Sequence, residues 1–483
     1  MPRVRTRLWF AAAILLIACV DSGPDGPSAA DIEPTFTREQ LLDPATCRGC
    51  HPVHYREWAS SMHAYAADDP VFLAFNARGQ RETGGELGDF CVKCHAPMAL
   101  EEGATEDGTN MDEVPQHLKG VTCYFCHNTE AVEGTHNNPL VLANDRAMRG
   151  GLDNPVATTA HQSVYSELLD GSNSRSADMC GACHDIVNGN GVHMERTYSE
   201  WQASLFNSDE PQVLQTCGAC HMTGLDGQVI AEESGVETPP RRRHEHLFPG
   251  VDLALTEWPE IDRQRAAIDC DLLPVARAEL CVLPSNEVIV TLETNIGHAW
   301  PSGATQDRRA WVELVATRDD GPLFESGVIA EGEWVDKPRM AEDYDPNLWQ
   351  LRDRLYNAQA EPTHMFWEAA PSTEYPEGYD GQLLPPPPPD VLVGHTLERN
   401  YVLPGPPDEV RMALHIRPMG LDVIDDLIES GDLEDETLRD RIETFTPALS
   451  VLRWTAEDGP GCVTRAQPAP FACPEHYRDM PAP

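Results

Sequence analysis

The pattern of apolar and polar positions divides the chain near residue 284. Beyond that point apolar residues alternate with polar ones. Val288, Val290 and Leu292 fall on one face of the stretch Glu287–Glu293, and a period of two predicts a half-buried strand. Val410, Met412, Leu414 and Ile416 alternate with Arg411, Ala413, His415 and Arg417 in the same way. Residues 309–317 read as a further strand. Residues 421–445 interrupt the strands with an acidic helical pattern, and the proline run at 385–389 predicts a stiff insertion on a surface loop. Together these predict an all-β, sandwich-like domain over residues 284–456 with a small helical insertion. A connector at 251–283 precedes it, and a tail at 457–483 follows.

Before residue 250 long periodic segments are scarce. The glycine pairs Gly84-Gly85 and Gly150-Gly151 mark loops. The predicted helices are short: residues 51–66, with Tyr55, Trp58 and Met62 at helical spacing, and residues 198–205. Aliphatic residues are too few for an ordinary core, so residues 41–250 form a mostly irregular, short-helix domain that needs apolar bulk from elsewhere. The fold class is therefore multidomain.

The first residues are a different kind of segment. Arg3, Arg5 and Arg7 precede an apolar run from Trp9 to Ala18, too short to span a bilayer as a mature helix. The run ends Ile17-Ala18-Cys19, which resembles a bacterial lipoprotein processing site. The expectation is a signal peptide at 1–18, a lipidated Cys19, a flexible tether at 19–40, and export to the periplasm or outer surface, anchored to the outer membrane. A formal charge of −44 argues against nucleic acid and anionic lipid as partners; it suits basic partners, or only keeps the protein soluble, and redox proteins are the expected partners.

The chemistry lies between Cys47 and His221. Cys-x-x-Cys-His occurs five times there: Cys47/Cys50/His51, Cys91/Cys94/His95, Cys123/Cys126/His127, Cys180/Cys183/His184 and Cys217/Cys220/His221. This is the attachment signal for c-type haem. Zinc ribbons and iron–sulfur sites also use paired cysteines, but neither requires a histidine after every pair. A thioredoxin-like motif would occur once. Five covalently bound haems follow, and they would supply the missing apolar bulk. Ten of the fifteen cysteines are thereby used. Besides Cys19, four remain: Cys270, Cys281, Cys462 and Cys473. Outside the cytoplasm they are expected as disulfides, paired locally, although three connectivities exist.

Each motif histidine is a proximal iron ligand. Were residues 51–66 one helix, His51 and His63 would stand about 18 Å apart along its axis. His63 would then cap a neighbouring haem, which brings two haems together. His54, on the turn after His51, is read as a packing or propionate contact.

Several stretches resemble the cytochrome c-552/c-554-type multihaem family, which includes a tetrahaem electron acceptor and is related to hydroxylamine oxidoreductase. They are Cys47 to His51 followed by Tyr55, Trp58, Ser61 and His63; Gly120 to His127; His161-Gln162-Ser163; Cys180 to Asp185; and Glu195 to Trp201. Arg243 to Gly250 and Gly297 to Gly303 resemble ligand-bearing segments of larger relatives with a β-domain. The resemblance implies a pentahaem protein in which His63, His161, His246 and His298 are distal ligands. Ligation by His298 would lock the β-domain to the haem domain. The fifth distal position is open to His117, His136, His193, His244, Met98 or Met111, or to no protein ligand. His415, on the polar face of its strand, reads as a surface residue, and His364 and His395 lie in loop-like segments that carry little signal.

Three functions are compatible with this pattern. The first is an exported, lipid-anchored carrier relaying electrons through five closely packed haems. The second is an oxidoreductase acting on a small nitrogen or sulfur oxyanion or hydroxylamine at a haem with an open position. Against it, no Cys-x-x-Cys-Lys occurs, and Lys93 lies inside its own motif. The third assigns partner binding to the β-domain.

Overall fold

The computed structural model describes residues 33–465 except 157, 233–237 and 391–392. The targeting segment, Cys19 and Cys473 lie outside the described residues. Short helices and two-stranded ribbons fill the N-terminal half, and a β-rich region follows.

Two antiparallel sheets make up that region. The smaller runs Leu397–Val402, Glu287–Glu293, Arg277–Val282, Gly461–Thr464. The larger is built on Arg309–Arg318, flanked by Glu409–Arg417 and Trp349–Tyr356. Leu280, Val288, Val290 and Leu292 of the first share one core with Val312, Leu314, Leu414 and Ile416 of the second. The alternation in the sequence is the cause, because a strand buries every second side chain.

The boundaries drawn from the sequence were too narrow. Strands 277–282 and 461–464, expected in connector and tail, belong to the smaller sheet, where Cys281 faces Cys462 in register. These two form a disulfide 181 residues apart in sequence, which corrects the local pairing. Cys270 is likewise disulfide-bonded. Replacing Cys281 and Cys462 by serine is expected to cost about 2–5 kcal/mol, because a long loop is freed in the unfolded chain. A urea titration of the holoprotein would show it as a lower midpoint.

Other expectations change for identifiable reasons. The helix at 51–66 is two helices, Pro52–Ala59 and Met62–Tyr65. The Ser60 hydroxyl donates to the Glu57 carbonyl at 2.9 Å, and the Ser61 hydroxyl accepts from the Ala64 amide at 3.3 Å, so buried serines replace the helical ladder. The tether does not reach residue 40 as a free segment. Thr37 and Gln40 form a capping box, and Arg38 pairs with Glu102 at 2.5 Å. The proline run is not a free surface loop either. Pro387 is buried, and its carbonyl accepts the Leu205 amide at 2.8 Å, a bond that the unpaired backbone of an extended proline run leaves available.

The helical insertion is a clamp. Leu421–Glu429 buries Val423, Ile424 and Leu427 against Val71, Ala74 and Phe75 of the helix Pro70–Glu82. Arg78 reaches Asp426 at 3.1 Å beside this contact. Elsewhere along the seam Arg196 pairs with Asp353 at 2.5 Å, and Asn188 donates to the carbonyls of Phe366 and Ala369.

Glu195 and Glu200 lie in the same seam, and burial pushes both from 4.5 up to about 7. The folded chain holds these protons and the unfolded chain releases them. The stability they contribute is complete below pH 4.5 and is lost as pH rises through 7. Urea unfolding between pH 4.5 and 7.5 is expected to show a fall of at most about 3 kcal/mol per group, and Glu200→Gln should flatten the slope.

Candidate haem sites

Every motif lies on or beside a short helix that ends near its histidine. In Cys123–Asn128 and Cys217–His221 the preceding threonine caps the helix: Thr122 accepts the Phe125 amide at 3.4 Å and Thr216 the Ala219 amide at 3.2 Å. A single helical turn sets both thiols of a pair on one side, with the imidazole next to them.

The motifs meet out of sequence order. The thiol of Cys47 contacts that of Cys123. Cys94 contacts Cys183, and Cys180 contacts Cys217. Cys126 lies close to both Cys180 and Cys183. The first motif therefore touches the third. The fourth lies at the centre, against the second, third and fifth.

Histidine rings face each other across these motifs. His51 and His161 have centroids 6.3 Å apart at 29°, and His127 and His246 6.2 Å apart at 18°. His184 and His63 lie 6.2 Å apart at 47°, and His221 and His298 6.3 Å apart at 14°. An imidazole nitrogen binds a transition metal at about 2.0 Å and lies about 1.1 Å from its ring centre, so two rings sharing one iron stand about 6.2 Å apart. The four separations fit one interposed iron and are too long for face-to-face contact.

Proton placement agrees. Nδ1 points at a backbone carbonyl in His51 (Ile230, 2.7 Å), His127 (Arg149, 2.6 Å), His221 (Pro249, 2.8 Å) and His95 (Ala66, 3.1 Å). The same holds for His161 (Gln162, 3.0 Å), His246 (His244, 3.0 Å) and His298 (Ala299, 2.9 Å). A carbonyl accepts only from Nδ1–H, which leaves the lone pair on Nε2 for a metal. Burial also keeps the rings neutral: His63 and His246 are pushed down to about 3, and His184 and His298 to about 4.

His95 differs. Its ring lies flat on Phe72, with centroids 4.3 Å apart at 4°. Among the described residues no histidine stands opposite it at the spacing of the other four pairs. The candidates for that place are engaged elsewhere. His193 Nε2 bonds Asp185, His244 Nδ1 bonds the Met222 carbonyl, and His136 bonds the Thr135 hydroxyl. His117 is exposed. Met98 and Met111 are buried in the same cluster as Phe72. His54 is half-buried between two sites, 5.8 Å from the His51 ring and 4.8 Å from the His246 ring, and is pushed down to about 2 by desolvation.

Residues 46–128 match the family model described as cytochrome c554 and c-prime. That stretch holds three of the five attachment motifs, so the chain resembles a multihaem c-type cytochrome of this family. Its fold resembles the crystal structure of a penta-heme cytochrome c552 from Thermochromatium tepidum. That likeness has a TM-score of 0.55 at 19% identity and covers 86% of this chain and 99% of the other. No curated protein matches the cytochrome. A cytochrome of this kind binds haem covalently and transfers electrons.

Sequence reasoning missed two features of the sites. One is the buried pair Arg243–Glu57, whose carboxylate also accepts the His246 amide at 3.0 Å. An arginine and a glutamate 186 positions apart give no local signal. The other is the turn at Phe248-Pro249, because no residue type there demands an unusual backbone.

Proposed function

We propose that the chain carries five haems and serves as an exported electron relay. The thioether positions are Cys47, Cys50, Cys91, Cys94, Cys123, Cys126, Cys180, Cys183, Cys217 and Cys220. The axial pairs are His51/His161, His127/His246, His184/His63 and His221/His298, with His95 ligating the fifth iron. Bound haem supplies reversible one-electron storage at each place. The residues supply the rest: thiols in contact between motifs, neutral imidazoles with Nε2 free, and carbonyls that fix each ring. The observation that carries this reading is the set of four ring pairs at the spacing of one shared iron. Sequence supports lipid attachment at Cys19, which would place the relay at the periplasmic or outer-surface side, with basic redox proteins as partners.

Intact mass and pyridine haemochrome counting of the mature protein test it. Five haems per chain are expected; zinc, or no reduced α-band, would overturn it.

A second reading is favoured by one observation, the absence of a facing histidine at His95 among the described residues. In that reading the fifth iron takes a small nitrogen or sulfur oxyanion or hydroxylamine. It requires a high-spin ferric signal in the resting protein that changes on adding nitrite or hydroxylamine. A wholly low-spin spectrum leaves only the relay.

A further inference from the structure

One dipeptide reaches three of the four histidine pairs. The ring of Phe248 lies 4.4 Å from that of His63, tilted by 52°, and 5.6 Å from that of His246, edge-on at 74°. The next carbonyl, of Pro249, accepts from His221 Nδ1 at 2.8 Å. His63, His246 and His221 belong to three different pairs.

Phe248 has a φ of 50°. The left-handed region is an outlier for a bulky residue, and the following proline narrows its choices further. Glycine would occupy this backbone freely. A phenylalanine on a backbone that favours glycine points to its ring as the reason it is there, since such strain persists only where the surroundings hold it and concentrates at functional sites. The ring packs on His63, and the His63/His184 pair has the widest angle of the four, 47° against 29°, 18° and 14°.

We propose that Phe248 is a positioning residue that sets the ring plane of His63 against His184 and so gives the central iron site its tilted ligand pair. This rests on the reading that the facing histidines share iron. In a ferric haem with two imidazole ligands, the angle between the ring planes governs the g anisotropy. Near-parallel rings give a rhombic spectrum, and turned rings raise the largest g value. The carbonyl of Pro249 ties the same turn to His221, so one local conformation bears on adjacent sites.

Electron paramagnetic resonance of the fully oxidised holoprotein tests this with three variants. Phe248→Gly removes the ring and relaxes the backbone. Phe248→Leu removes the flat ring but keeps apolar bulk, and carries the test if the glycine protein does not accumulate. Phe248→Tyr retains the ring. The wild type is expected to show at least four low-spin ferric signals, one with a largest g above the rest. In Phe248→Gly and Phe248→Leu that signal should move toward the others, and in Phe248→Tyr it should stay. Fewer than four low-spin signals in the wild type would defeat the ligation reading itself. Four or more signals with an unmoved top g in the glycine or leucine variant would defeat the role of Phe248 and leave ligation intact.

Discussion

Replacing Cys180 and Cys183 together by serine is expected to lower the haem content by one and to cause the largest loss of electron equilibration of any double substitution in the chain. The reason is placement. Cys183 meets Cys94, Cys180 meets Cys217, and Cys126 lies within electrostatic reach of both. Losing this motif separates the second and fifth from the pair formed by the first and third. The same double substitution in the first motif, at Cys47 and Cys50, takes one haem from the end of the arrangement, where Cys47 meets Cys123 of the third motif. Both variants should weigh one haem less by intact mass. Reduction under limiting dithionite should stay near single-phase in the first-motif variant and split into well-separated phases in the fourth-motif variant. Equal kinetics in the two would show that the fourth motif is not central.

How far the sequence was legible follows from how local each signal is. Haem attachment is encoded within five residues, so all five motifs are visible before any folding is considered. The alternation of Val288, Val290 and Leu292 is also local, and the strand Glu287–Glu293 has the bounds the pattern implies. Strand partnership is not local. Residues 277–282 and 461–464 join one sheet because Cys281 opposite Cys462 closes it, and nothing near either cysteine announces the other. The break between Pro52–Ala59 and Met62–Tyr65 depends on two serine hydroxyls finding backbone partners, which a periodicity count does not weigh. Pairing of histidine rings is the least local of all. His161 reaches His51, and His298 reaches His221, only through the tertiary fold. The likeness to a known family pointed at those four distal histidines, whereas spacing alone placed only a limit on His63.

Removing Arg243 is expected to be the most destabilising single change to a charged residue in the haem-bearing half. Arg243 and Glu57 are 7% and 5% exposed, and Arg243 Nη1 lies 2.8 Å from both carboxylate oxygens. One of those oxygens also accepts the His246 amide. Arg243→Met leaves a buried carboxylate without its cation, and breaking such a pair costs about 3–5 kcal/mol. Burial already raises the Glu57 carboxyl above its ordinary range. Without the guanidinium the group rises further and takes up a proton, so the cost should lie near the lower end of that range at pH 5 and near the upper end at pH 8. A protonated Glu57 accepts the His246 amide less strongly, and His246 faces His127 at the iron-sharing distance. The variant is therefore expected to lose stability in urea and to shift one low-spin signal together. Glu57→Gln with Arg243→Met removes the uncompensated charge while retaining an acceptor for the His246 amide. It should recover part of the stability and return that signal toward its wild-type position. If Arg243→Met unfolds at the wild-type urea concentration at both pH values, the pair contributes no net stability. A low-spin signal that also stays fixed would leave His246 held by its own Nδ1 contact to the His244 carbonyl.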